Sequence, residues 1–152
     1  MVDVSNPSSP SPLAWAAIDG IAGRTAYSDG HRFATSVANG LRIIDVRVPT
    51  SPVAVAELPV LDGANDVAVS GDCAAVVGPS GRLTIVDISV PSQPIEVGSA
   101  KDMDQATGVV ASSGRVFISA GKGGLATYPN CSSWLFADDF ESGDPDAWFV
   151  AR

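Results

Sequence analysis

Positive charge, histidine, cysteine and long apolar runs are all scarce in this 152-residue chain, and each scarcity closes off a class of function. Nine Lys and Arg stand against 17 Asp and Glu, a net charge of −8. Nucleic-acid binding needs clustered cations to meet phosphates, so this balance argues against it. No stretch approaches the roughly 18 consecutive apolar residues of a membrane helix, and no span is expected. The N-terminus lacks a basic region followed by an apolar stretch, so no signal peptide is visible within this chain. One histidine and two cysteines cannot supply the paired ligand spacing of a zinc site.

The patterns of catalysis are missing as well. His31 is the lone histidine, beside Gly30 at a hairpin turn, and Asp29 is its nearest acid. A Ser-His-Asp machine needs that base to be oriented by an acid and to touch a nucleophile, and no nucleophile-elbow pattern occurs anywhere in the chain. The acidic run through Asp138, Asp139, Glu141, Asp144 and Asp146 does not fit a twelve-residue calcium loop and reads as a solvated segment. "GKGG", with Lys122 at its second position, lacks the spacing of a phosphate cradle and falls where a strand-to-strand hairpin belongs. The sequence therefore predicts no cofactor, no metal and no catalytic residue.

What the chain does contain is repetition. "LRIIDVRVPTSP" begins at Leu41, and "LTIVDISVPSQP" begins 42 residues later at Leu83. One further step back reaches Val2-Asp3-Val4-Ser5, and one step forward reaches "LATYPN" at Leu125. The columns match without a gap: Ser28, Ser70 and Ser112; Phe33, Ala75 and Phe117; Pro10, Pro52 and Pro94. A period of about 40 to 47 residues suits either helix pairs or a four-stranded propeller blade. Helices need longer unbroken runs, whereas here "SDG", "VPTSP", "LDGAN", "SGD", "PSG" and "SSG" interrupt the chain about every ten residues. Between them lie short runs rich in Val and Ile, several apolar on both faces, as sheets packed between two neighbours require. With 15 Gly and 11 Pro for the turns, the expected fold is all-β: a propeller fragment of about three four-stranded blades.

Whole blades are expected at Arg24 to Leu58 and Asp66 to Ala100, the second with strands Asp66–Ser70, Cys73–Val77, Leu83–Ile88 and Ile95–Ala100. A third, Thr107 to Tyr128, lacks its outer strand, while Leu13 to Ile18 reads as a spare one. Residues 1–128 are thus the repeat region. Residues 129–152 form a tail carrying five of the 17 acids and one base, far more acidic per residue than the repeats and expected to be flexible. Because Met1 falls inside a unit and closed propellers typically use about 4 to 8 blades, two arrangements are expected. More blades could lie upstream, the arrangement favoured, or two copies could close a six-blade ring in a homodimer, Leu13 to Ile18 completing the partner's third blade.

Asp3, Asp45 and Asp87 share one strand column, and a carboxylate repeated in every unit reads as scaffold, satisfied by turn amides. Cys73 and Cys131 map to adjacent blades. Two separate thiols, or a partner in further sequence, are favoured over a bridge between them, which needs Cα atoms within about 7 Å.

"GLRIIDVRVPTSP" and "RLTIVDISVPSQP", each preceded by two apolar strands, resemble the LVIVD repeat, a propeller-forming repeat of bacterial and archaeal surface or secreted proteins. The resemblance covers residues 2 to 128. It implies a β-propeller in an extracytoplasmic setting, with no general catalytic activity to carry over. The third unit departs from it, having "YPNC" where the Asp column should be. The tail "LFADDFESGDPDAW" is similar to a short segment ending many secreted bacterial proteins, though "PDAWF" departs from that form.

The reading that follows is a non-catalytic secreted or cell-surface scaffold that binds a protein or glycan through loops on one face. The alternative is a piece of a secreted propeller enzyme, a hydrolase or lyase, whose catalytic residues lie outside this chain. Positions that differ between units are the place to seek a ligand, because identical ones hold the scaffold. By analogy with WD-repeat strand order, the loops entering each innermost strand gather on one face with those joining the second and third strands. On that face Asp19, Asp62, Asp66, Asp102 and Asp104 form an acidic arc, with Asn65, Gln105 and Lys122 as neutral or basic neighbours.

Overall fold

The computed structural model describes residues 1–16, 22–36, 40–60, 63–101 and 105–129. Thirteen strands and one single-turn 3-10 helix, Gly121–Gly123, make up their regular structure. The breakers noted above fall between strands, which is why none runs beyond seven residues.

The chain builds its sheets in sequence order. An N-terminal ribbon pairs β1 (Val2–Asp3) with β2 (Ser11–Pro12). The first sheet is the meander β3 (Ala22–Ser28), β4 (His31–Ser36), β5 (Gly40–Asp45) and β6 (Val53–Leu58). The second repeats it with β7 (Asp66–Ser70), β8 (Cys73–Val77), β9 (Leu83–Asp87) and β10 (Ile95–Ala100). The third has three strands, β11 (Gly108–Ser112), β12 (Arg115–Ser119) and β13 (Leu125–Pro129). All pairings are antiparallel, and β3, β7 and β11 lie side by side as the leading strands of their sheets.

The 42-residue period is visible in backbone bonds as well as in letters. Ser9, Ser51 and Gln93 each donate N–H to the carbonyl three residues back, on Asn6, Val48 and Val90, at 2.8 to 3.0 Å. The proline that follows each turn, Pro10, Pro52 or Pro94, stands just before a fourth-column strand, where its missing N–H leaves no ladder bond unmade. Asp29-Gly30 and Ser113-Gly114 both take positive φ, as a two-residue hairpin of the primed type requires.

Alternation along each strand sends one set of side chains forward and the other back. Between the first and second sheets lie Phe33, Leu41, Ile43, Val67, Val76 and Val86. Between the second and third lie Ala75, Val77, Leu83, Ile85, Val116 and Ile118. The second sheet is thus buried on both faces, and β8 is buried at all five positions. Thr84 lies on the forward-to-first-sheet side of β9 with no exposure, and its hydroxyl has no hydrogen-bond partner among the described residues. An unsatisfied buried hydroxyl is costly, so Thr84→Val is expected to stabilise the fold by about 1 to 2 kcal/mol, read from the midpoint of urea unfolding.

Two expectations change. Leu13 to Ile18 is not a lone spare strand. Residues 11 and 12 already pair with Val2–Asp3, and the bonds from Leu13 N–H to the Met1 carbonyl (3.0 Å) and from the Met1 amino group to the Ala14 carbonyl (2.8 Å) extend that ribbon. These residues occupy the third and fourth strand columns of a unit, so the N-terminal element is half a sheet. Ala16 packs on Ile44 and Val46 of the first sheet; Ala17 and Ile18 lie outside the described residues. The second change is at Cys73, which is disulfide-bonded rather than a separate thiol. Its expected isolation rested on the gap between adjacent sheets, but Cys73 sits in the core between the second and third sheets. Cys131 lies outside the described residues, as does the acidic tail from residue 130 onward.

Candidate functional site

The sheets have two ends with different chemistry. At one end stand the repeated aspartates. Asp3, Asp45 and Asp87 each accept, through Oδ1, the backbone N–H two residues on, from Ser5 (2.9 Å), Arg47 (2.9 Å) and Ser89 (2.8 Å). This is an Asx turn, and it starts the chain into the proline-bearing connection. The scaffold role expected for this column is therefore met in all three units that carry the acid; in the third, Pro129 occupies it.

The first sheet adds a guanidinium. Arg47 donates from Nε to both carboxylate oxygens of Asp45 (3.0 and 2.9 Å) and from Nη2 to Oδ2. Those side-chain bonds, then the Arg47 amide, hold the Asp45 carboxyl down at about 2 against an ordinary 3.8. Asp3 and Asp87 are lowered too, mainly by the amides of Ser5 and Ser89. A lowered folded value means that the unfolded chain takes up protons first as pH falls. The stabilisation is complete above about pH 4 and is lost as pH falls towards about 2. Urea midpoints measured across that window should drop, and Asp45→Asn should flatten the part belonging to its own unit. His31 sits across the ladder from Asp45, with Nδ1 2.9 Å from the Asp29 carbonyl oxygen.

The opposite end is the candidate face. Here the structure places four of the predicted residues, and Asp62, Asp102 and Asp104, with Asp19, lie outside the described residues. Asn65 leads into β7: its N–H donates to the Val77 carbonyl (2.7 Å), and its side-chain amide donates to the carbonyl of Ala106 in the loop before β11 (3.1 Å). Asp66 opens β7 and accepts twice, from Val67 N–H at Oδ1 (2.9 Å) and from Val109 N–H at Oδ2 (3.0 Å). Both residues thus stitch the second sheet to the third. A Cβ at Gly108 would lie 3.5 Å from Asp66 Oδ2, an ordinary contact, and 3.1 Å from Ser119 Oγ, so the glycine leaves room chiefly for Ser119 of its own sheet.

Because Asp66 is half-buried and its charge meets two amides, Asp66→Ala is expected to cost about 1.5 to 3 kcal/mol, whereas Asp66→Asn keeps one acceptor and should cost less. Thermal unfolding of the two variants checks this. The sequence gives no sign of the bonds made by Asn65 and Asp66, whose partners are 41 and 43 residues away.

Gln105 and Lys122 are both exposed and come together. Gln105 lies before β11, and its Cβ and carbonyl oxygen would stand 3.7 and 3.8 Å from a Cβ on Gly121, at the start of the 3-10 turn that carries Lys122. A loop that enters a leading strand and one that joins second and third strands are thus neighbours. The corresponding connection in the second sheet is tied by Gly78 N–H to the Arg82 carbonyl (2.9 Å), as Ala120 N–H is to Gly124 (2.8 Å). The two loops share a backbone design and differ in side chains, Ser80 standing where the third unit has Lys122. Among the described residues, no three His, Cys, Asp or Glu side chains gather as a metal-holding group, and no helix is long and apolar enough to cross a membrane.

Comparison with known proteins accords with this geometry. The structure is similar to a computationally designed protein, Ika8, with a TM-score of 0.60 and 11% identity over 71% of this chain and 33% of that one. The matched part thus spans about a third of the designed chain's length. A second designed protein, Ika4, aligns at a TM-score of 0.46 and 9% identity over 77% of this chain and 96% of its own. The first likeness identifies the fold as β-propeller-like. None of the curated proteins compared matches the sequence. The LVIVD repeat matches residues 1–13, 20–58 and 63–102, more than half of the chain and in register with the ribbon and the first two sheets, and the chain belongs to that repeat family.

Proposed function

We propose that this chain is a non-catalytic scaffold, secreted or displayed at a cell surface, that binds a protein or glycan through the loops at the Gln105 and Lys122 end of its sheets. The observation that carries the reading is a division of labour between the two ends. The repeated aspartates at one end are engaged by turn amides, and Asn65 and Asp66 at the other are engaged between sheets. Gln105 and Lys122 are exposed, stand on neighbouring loops and are not repeated in the second unit. Exposed side chains that vary on a shared backbone can change the ligand without changing the scaffold. A disulfide at Cys73 supports the extracytoplasmic part of the proposal, since disulfides persist where the surroundings are oxidising and are rare where thiols are kept reduced.

The test combines a glycan array and a capture screen against surface proteins with a turnover screen on common hydrolase and lyase substrates. Binding that is lost in a Gln105→Ala/Lys122→Glu double variant of unchanged melting temperature supports the proposal. Turnover by the purified chain, or binding untouched by the double variant, overturns it.

A further inference from the structure

The two ends of the row of sheets expose apolar faces of complementary type, and we infer that they dock on each other between two copies of this chain, closing a head-to-tail pair. The repeat makes the comparison direct. In the column Leu41, Leu83 and Leu125, the first two are 0% and 2% exposed because the following sheet covers them, while Leu125, which no following sheet among the described residues covers, is 70% exposed. Val110 is 62% exposed, whereas Ala68, one unit earlier, is buried. Phe117, only half-buried, matches the buried Phe33 and Ala75. The third sheet therefore presents outward the residue types that the first and second sheets use against their successors.

The N-terminal ribbon presents the opposite surface. Val2 and Val4 stand in the columns of Ile44 and Val46, and of Val86 and Ile88, all four of which are buried against the preceding element. In the ribbon both valines are exposed, and Trp15, which alternates with Ala16, is 84% exposed. Ala16 points the other way, onto Ile44 and Val46. The ribbon thus has its rear face seated on the first sheet and its front face open.

Every internal junction of this molecule joins the rear face of one element to the front face of the next, at ribbon and first sheet, first and second, second and third. The open rear face of the third sheet and the open front face of a second copy's ribbon are the same pair of surfaces. The occupant is thus identified by continuity with the three junctions already made. Contacts of this heterologous kind form rings when the rotation closes and filaments when it does not. Among the described residues each copy supplies the ribbon and three sheets, so two copies of them set eight elements side by side, within the range of about 4 to 8 that closed propellers use. The half-sheet ribbon fills one place per copy, so no strand has to be exchanged.

Sedimentation velocity on the full chain tests this, with Trp15→Glu and Val110→Asp as variants. Both side chains are exposed, so neither change disturbs a core within one copy, and unaltered far-ultraviolet circular dichroism confirms that each variant folds. The wild type should sediment at twice the chain mass, and each variant alone at the chain mass, since either change spoils both junctions of the pair. Mixing the two variants restores one junction with two native faces, so a heterodimer should appear in the mixture alone. A monomeric wild type, an open ladder of larger species, or variants that keep the double mass would each overturn the inference. A mixture that stays monomeric would overturn its head-to-tail form.

Discussion

Leu83→Ala is expected to cost about 2 to 5 kcal/mol, while Leu125→Ala, at the same place in the next unit, should cost no more than about 0.5 kcal/mol in the single chain. Both leucines open the third strand of their sheet, and both pair across the ladder with the end of the second strand, Leu83 with Val77 and Leu125 with Ser119. They differ in what lies beyond the sheet. Leu83 packs among Val77, Ile85, Val116 and Ile118, which cannot collapse into the vacated space without moving two sheets at once. Leu125 faces outward. A domain of this size holds a net stability of only about 5 to 15 kcal/mol, so the Leu83 change removes a large fraction of it. Leu41→Ala should behave as Leu83→Ala does, through the other interface. Urea unfolding at concentrations low enough to keep the chain monomeric reads all three. Equal losses at the three positions would mean that the rear face of the third sheet is covered within a single chain.

Loss of the disulfide at Cys73 is expected to cost about 2 to 5 kcal/mol, or roughly 4 to 20 °C in melting temperature. Cys73 starts β8, is 3% exposed, and lies in the core that joins the second sheet to the third. A cross-link from that core restricts the unfolded chain, while the junction around Cys73 is also held by apolar packing and by the Asn65 and Asp66 bonds. Cys73→Ala is the suitable variant, because alanine leaves no polar atom in that core. Calorimetric melts of the oxidised chain, the reduced chain and the variant should place the last two together and well below the first. Reduced and oxidised chains that melt alike would show that the cross-link adds nothing to stability.

What the sequence determined by itself is the part of the structure encoded over a few residues. Period-two alternation and turn chemistry set the strands of the second sheet, where three of the four agree with expectation at both ends and the other closes one residue early, at Asp87. The role of Asp3, Asp45 and Asp87 was equally legible, since an Asx turn binds an amide only two residues away. Repetition at a fixed spacing then gave the architecture, because one unit cannot bury its own faces and must be covered by the next. Tertiary structure decided whatever depends on which neighbour stands in space. Asn65 and Asp66 are ordinary turn residues by composition, and only the approach of β11 turns them into a tie between sheets. The pairing of β1 with β2 made half a sheet of what the sequence presented as a single spare strand. Leu83 and Leu125 are the same letter in the same column, and no local rule separates them; a following sheet covers Leu83, and none among the described residues covers Leu125.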